Sequence, residues 1–210
     1  MGNLYLAKNE LDKALQHFQQ ALKINREIGD RQGEAYNLGS MGTVYGTRGE
    51  HDKALEKYQQ ALKIHRKIGD QRGEASDLGN MGNVYREKGE LDKALEHFQQ
   101  ALKIDSDIDN RQGKANALCN IGIVYEAKGQ LDKALEHQQQ ALKIDREMGN
   151  RQGEAYTLCN MGIIYGIREE LDKALQHFQQ ALKIFEEIGA RREAETAKNL
   201  INSLARQRMK

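Results

Sequence analysis

Three sets of side chains in this chain pair a reactive or hydrogen-bonding group with fixed spacing. His17, His97, His137 and His177 share one place in a 40-residue period, Cys119 and Cys159 share a second, and Asn80, Asn120 and Asn160 share a third, with Ser40 as its first member. Imidazoles and thiolates could ligate a metal, and thiols could form a disulfide. A metal site, however, needs its ligands to converge at about 2 Å from one ion. Equivalent atoms on successive helical units lie roughly 8–10 Å or more apart. The histidines therefore read as polar residues of an outer helix and the cysteines as unpaired, and neither a metal nor a cofactor is expected. The asparagines are different, because an amide both donates to and accepts from a peptide backbone. A ladder of amides suits hydrogen bonding to another chain with little demand on its sequence. No nucleophile with a local motif, phosphate-binding glycine loop or paired-carboxylate constellation stands out. Gln99 and Gln100 recur in every copy and read as scaffold, so no enzyme is expected.

These residues are positioned by a repeat. Asp-Lys-Ala-Leu begins at 12, 52, 92, 132 and 172, and Gln-Gln-Ala-Leu-Lys-Ile at 19, 59, 99, 139 and 179. Five copies at fixed spacing mean stacked supersecondary units. The absence of proline and the abundance of Ala, Leu, Glu, Lys and Gln favour helix. In the third copy Ala75, Leu78, Met81, Gly82 and Tyr85 form one buried helical face. Asp70 is a candidate N-cap, followed by acidic Glu74. Gly82, inside the helix, costs about 1 kcal/mol against Ala, and its recurrence predicts close approach of a second helix. That second helix follows Gly89, with Leu91, Ala94, Leu95, Phe98, Ala101, Leu102 and Ile104 as its apolar stripe. The expected organisation is one continuous solenoid: a truncated first repeat over 1–28, repeats over 29–68, 69–108, 109–148 and 149–188, and a capping helix over 189–210.

Departures from the pattern carry information. The left-handed turn position reads Asn9, Gly49, Gly89, Gly129 and Glu169, so Glu169 is expected to be strained or to change the turn. The Phe98 column reads Phe18, Tyr58, Gln138 and Phe178 elsewhere. An amide in place of a ring at Gln138, together with Asp109 at a helix-ending glycine position, predicts the loosest packing in the fourth hairpin. Met1 falls at the place of Met41, Met81 and Met161, halfway along a first helix. That start is expected to expose an apolar edge made of Leu4, Tyr5, Leu11, Leu15 and Phe18.

The run Leu78-Gly79-Asn80-Met81-Gly82-Asn83-Val84-Tyr85, followed by Gly89, Ala94, Phe98 and Ala101, resembles the tetratricopeptide repeat (TPR). The resemblance covers essentially the whole chain. The period is longer than the common form of about 34 residues, as in the kinesin light chain and Pins-type adaptors. The extra residues are expected to lengthen the second helix and to add a Gly-Asp-Arg-Gln-Gly-type connector. The resemblance implies an all-α, right-handed superhelical solenoid of antiparallel helix hairpins, a TPR array whose first helices line a concave groove that holds a peptide. Its Asn positions imply backbone contact through Asn80, Asn120 and Asn160.

Candidate contact residues are those on first helices that avoid the core stripe: Tyr36, Ser40 and Thr43; Asn80 and Asn83; Asn116, Cys119, Asn120 and Ile123; Tyr156, Cys159, Asn160, Ile163 and Ile167. Cys119, Ile123 and Ala127 share one face at i, i+4 and i+8, as do Cys159, Ile163 and Ile167, where earlier copies have Gly39, Thr43, Thr47 and Gly79, Asn83, Glu87. The contact surface is thus expected to turn from polar to apolar along the chain. The formal net charge of +1, with acids and bases interspersed, lacks the basic footprint of a nucleic-acid binder. No apolar run approaches the roughly 20 residues that span a bilayer, so no membrane is expected. The start of the chain lacks a basic segment followed by an apolar one, and the two cysteines fit a reducing compartment, so a cytoplasmic location is expected. A scaffold binding a peptide or protein segment is the expected function. The alternative is a self-assembling module, a homo-oligomer joined through its truncated N-terminal end or by domain exchange.

Overall fold

The computed structural model describes residues 2–208; Met1, Met209 and Lys210, which the sequence reading assigns to the truncated repeat and the cap, lie outside the described residues. The chain divides into two compact units, residues 1–113 and 114–210. The first holds α1 (Gly2–Ala7), α2 (Leu11–Glu27), α3 (Arg31–Thr47), α4 (His51–Ile68), α5 (Gln71–Glu87) and α6 (Leu91–Asp107), each packed on the next. The second holds the larger part of α7 (Arg111–Ala127), then α8 (Leu131–Met148), α9 (Arg151–Ile167), α10 (Leu171–Glu187) and α11 (Arg191–Arg208). No strand occurs among the described residues. Three-residue connectors such as Ile28–Gly29–Asp30 and Lys88–Gly89–Glu90 force consecutive helices into antiparallel pairs.

The first helices begin where the Asp70 cap places them, not after a Gly-Asp-Arg-Gln-Gly-type connector. Arg31-Gln32-Gly33 and its counterparts form the first helical turn rather than a connector, so the long period extends the first helix to 17 residues. The cap explains why. The side chains of Asp30 and Asp70 accept the N–H of Gly33 and Gly73 at 2.9 Å, and Asn110 and Asn150 do the same for Gly113 and Gly153 at 3.3 and 3.1 Å. An N-cap that takes up one of the free first-turn donors fixes where the helix starts.

In four of the five hairpins the core is set by a glycine facing a ring, and in the fourth hairpin Gly122 faces the amide of Gln138 instead. A Cβ at Gly82 would lie 2.7 Å from the Phe98 ring, and one at Gly42 would lie 2.8 Å from that of Tyr58. The Asp-Lys-Ala-Leu motif has a separate role for each of its first three residues. Asp52 accepts from Lys88 of the next hairpin at 2.7 Å, and Arg48 and Arg168 reach Asp12 and Asp132 in the same way. These are exposed pairs of modest worth, screened by solvent. Lys93 lies over the Tyr85 ring at 5.4 Å, and Ala94 is fully buried where α5 and α6 meet.

Two expectations about irregular positions change in detail. The apolar edge at the start is largely closed, because α1 packs on α2: Phe18 is buried, Tyr5 stacks on His17 at 5.1 Å, and Leu11 and Leu15 are half-buried. Leu4 remains exposed. Three non-glycine residues adopt left-handed backbone, Asn9, Asp109 and Glu169, the last at φ 61°. Glu169 is exposed and sits where other copies use glycine, so Glu169→Gly should stabilise the protein. The expected gain is about 1 kcal/mol, read as increased protection of α9 and α10 amides in hydrogen exchange.

Candidate functional site

In the first unit the contact candidates lie on α3 and α5. Tyr36 is exposed, and its hydroxyl accepts from Asn3 Nδ2 at 2.6 Å. Ser40 and Asn80 are half-buried and, with Tyr36 and Thr43, help to line a cavity of about 320 Å³. Thr43 Oγ1 donates to the Gly39 carbonyl at 3.3 Å and lies 3.0 Å from the Tyr58 hydroxyl, so its group is already engaged. Asn83 Oδ1 accepts from Arg86 Nη2 at 3.3 Å.

The same cavity contains residues that sequence reasoning missed. His65 Nδ1 lies 2.7 Å from Asp77 Oδ2, and His65 Nε2 lies 3.7 Å from Asp70 Oδ2. Both members of the close pair are buried. A signal was present. The residue after Lys-Ile varies as Asn25, His65, Asp105, Asp145 and Phe185 inside an otherwise repeated helix. Burial pushes the Asp77 carboxyl up to about 6, against the opposing effect of His65, and it also raises Asp105 and Asp145. Because the folded value for Asp77 is raised, its contribution to stability is present below about pH 4 and is lost as pH rises through about 6. Asp77→Asn keeps an acceptor for His65 without the charge. It should therefore gain on the parent protein by on the order of 2 kcal/mol between pH 4 and pH 7.5, measured by urea unfolding at each pH.

In the second unit the candidates lie on α7 and α9. Asn116 is exposed, and Asn120, Cys119 and Ile123 are half-buried. Gln138 Nε2 donates to the Cys119 carbonyl at 3.1 Å, and Asn160 Nδ2 donates to Cys119 Sγ at 3.2 Å. One amide of the ladder thus holds a neighbouring helix with its donor. Burial pushes the Cys119 thiol up and that of Cys159 up to about 11, so both stay protonated at neutral pH. Tyr156 is exposed, packs edge-on against Phe185 at 5.3 Å and donates to Glu193 at 3.4 Å. Ile163 and Ile167, one turn apart on α9, are 36% and 51% exposed.

The recurring histidines have a local explanation. His97, His137 and His177 each donate from Nδ1 to the carbonyl four residues earlier, at 2.7–2.8 Å, and pack against Tyr85, Tyr125 and Tyr165. Among the described residues no group of three or more His, Cys, Asp or Glu side chains could hold a metal ion. No described helix is long and apolar enough to cross a membrane.

Antiparallel helices in succession within each unit, a glycine–ring contact at Gly42, Gly82 and Gly162, and a 40-residue period define an all-α TPR fold among the described residues. The family model for the tetratricopeptide repeat matches residues 1–67 and 74–147, and a second model of the same description matches 155–187; the chain belongs to the tetratricopeptide repeat family. A search of curated proteins gave no match. Among solved structures, the chain is similar to BtubC (BKLC) from P. vanneervenii, with 16% identity and a TM-score of 0.73 over 94% of this chain and 91% of that one. It is similar to the nearly identical TPR-like repeats of a Podosopora anserina protein classed with the kinesin light chains, at 15% identity and a TM-score of 0.70 over 90% and 93%. Aspartyl phosphate phosphatase F from Bacillus subtilis aligns at 17% identity and a TM-score of 0.84 over 94% of this chain, which spans about half (53%) of that protein. At these identities the likeness is one of fold. The TPR architecture is that of protein–protein interaction modules.

Proposed function

We propose that the protein is an interaction scaffold whose first-helix faces bind an extended segment of a partner protein. The observation that carries this reading is the apolar pair Ile163 and Ile167, left exposed on α9 while Met161, Gly162 and Ile164 of the same helix are buried in the core. Exposed apolar surface of this kind marks interaction sites. With half-buried Ile123 and Cys159 on equivalent faces, the second unit offers contacts for an apolar side chain. Asn80, Asn120 and Asn160 supply amides for the partner's main chain. Asn160 contributes its carbonyl and its second N–H, since one N–H is given to Cys119. The first unit, with Tyr36, Ser40, Thr43 and Asn83, supplies polar contacts.

The test is a peptide-display selection against the whole chain, followed by the double variant Ile123→Asp, Ile163→Asp. Capture of the selected peptides should fall at least tenfold, and their sequences should share an apolar anchor. Helicity by circular dichroism should be retained. Unchanged capture by the folded variant would overturn the reading. Self-association draws on exposed Leu4 of the first hairpin. Light scattering over a concentration series distinguishes it, since a monomer at high concentration argues against assembly.

A further inference from the structure

The cavity in the first unit has a chemistry that the amide ladder and the isoleucines do not account for. It lies between α3 and α5, with α4 supplying His65. Its volume of about 320 Å³ is at the small end of ligand pockets, which start at roughly 300 Å³. That size suits one side chain of a partner rather than a whole ligand. The charged residues lining it are acidic, Asp70 and Asp77, and no lysine or arginine is among the lining residues. Hydroxyls and an amide complete the wall, from Ser40, Thr43, Ser76 and Asn80, and the exposed Tyr36 ring stands among them.

Two features separate this cavity from a merely acidic surface. First, Asp77 is 3% exposed, so one of its carboxylates' worth of charge is held inside the protein against the cost of desolvation. His65 neutralises that charge only in its protonated form, and burial already pushes the Asp77 carboxyl up to about 6. A bound cation would favour the ionised form. Second, Gly39 lines the opening and adds no side chain to it. A Cβ there would meet only Asp77 Oδ1, at 3.4 Å, whereas the equivalent place on α7 and α9 is filled by Cys119 and Cys159. Asp77 is also particular to its copy: the same column holds Asn37, Ala117 and Thr157 in the others.

We infer that this cavity is a subsite for a cationic side chain, arginine or lysine, of the bound peptide, with Asp77 and Asp70 supplying the countercharge and Tyr36 an aromatic face for the side chain. The inference rests on the reading of the first-helix faces as a peptide-contact surface and specifies what that peptide carries. A guanidinium or ammonium entering the cavity gains charge-assisted hydrogen bonds to Asp77, a carboxylate that water solvates poorly, and to the more exposed Asp70. Its attraction to the face of Tyr36 adds to this. The Gly39 backbone, without a side chain, leaves the route to Asp77 open.

The test uses the full chain at pH 7.5 and four blocked pentapeptides, Ala-Ala-X-Ala-Ala, with arginine, lysine, citrulline or norleucine at X. Binding is followed by NMR through the His65 ring and the amides of Asp70, Ser76 and Asp77. Saturable shifts at these groups are expected for arginine, lysine or both, with binding at least tenfold weaker for citrulline and norleucine. Which cation binds better identifies the preferred side chain. Two variants should abolish the difference between charged and neutral peptides. Asp77→Asn removes the charge while keeping the acceptor for His65, and Gly39→Leu plugs the cavity without altering any carboxylate. Equal shifts with charged and neutral peptides, no saturable shift, or undiminished discrimination in folded Gly39→Leu would each overturn the subsite. Those results would leave capture of apolar-anchored peptides through Ile123 and Ile163 untouched, so the two readings fail separately.

Discussion

Phe98→Ala should destabilise the first unit by about 3–5 kcal/mol, the cost of emptying a fully buried aromatic site. Phe98 has no exposed surface, and its ring lies against the bare backbone of Gly82, where a Cβ would come within 2.7 Å of it. The glycine is therefore the other half of one packing unit. Gly82→Ala forces a rigid ring to move, an overpacking cost of about 1–3 kcal/mol that exceeds the helix-propensity gain of about 1 kcal/mol. Combining the two substitutions should cost less than their sum, because the new methyl group partly refills the space the ring leaves. Gly122→Ala provides an internal control. Its neighbour is the Nε2 end of Gln138, at 2.7 Å from the ideal Cβ, a flexible chain that can turn aside. That substitution should cost less than Gly82→Ala, its remaining cost being the disturbed bond from Gln138 Nε2 to the Cys119 carbonyl. Urea unfolding of the variants, with hydrogen exchange to assign the loss to particular hairpins, checks the series. Equal costs at Gly82 and Gly122 would refute the rigid-ring account.

Gln138→Phe should stabilise the second unit by about 2 kcal/mol. Gln138 is fully buried in the column that holds Phe98 and Phe178 in sibling hairpins, and its Oε1 has no hydrogen-bond partner among the described residues. A buried polar atom without a partner costs about 1–3 kcal/mol, and burying a ring in its place contributes a transfer term of about 1.5–3 kcal/mol. Against these gains stands the loss of the 3.1 Å bond from Nε2 to the Cys119 carbonyl. The measurement is amide protection across α7 and α8, because a repeat array unfolds hairpin by hairpin and a single melting temperature averages over them. A drop in protection would mean that the amide, and not a ring, is the better occupant of this site.

These two cases mark how far the sequence could be read. The glycine–ring pairing was partly visible, because Gly82 recurs at a fixed distance before Phe98 and a glycine inside a helix needs a reason. The amide at Gln138 was visible as an anomaly, while its missing partner was not. The start of the first helices was legible at Asp70, which caps α5 as its type suggests. The reading of Arg31-Gln32-Gly33 as part of a connector was wrong, because the side-chain cap of Asp30 makes it a helical turn.

The sequence by itself determined the helices, their pairing and the family. Helical periodicity, short connectors and a strict repeat are local properties, and five copies multiply a signal that one would leave ambiguous. It also pointed to Ile163 and Ile167 as apolar residues off the core stripe, since helical spacing shows which face a residue occupies. Only the tertiary structure decided what those faces touch. It brought His65 of α4 against Asp77 of α5, gave the Asn160 donor to Cys119, and left a cavity over Gly39 lined by two aspartates. Each of these depends on how neighbouring helices rotate against one another, and that rotation follows from packing many side chains at once.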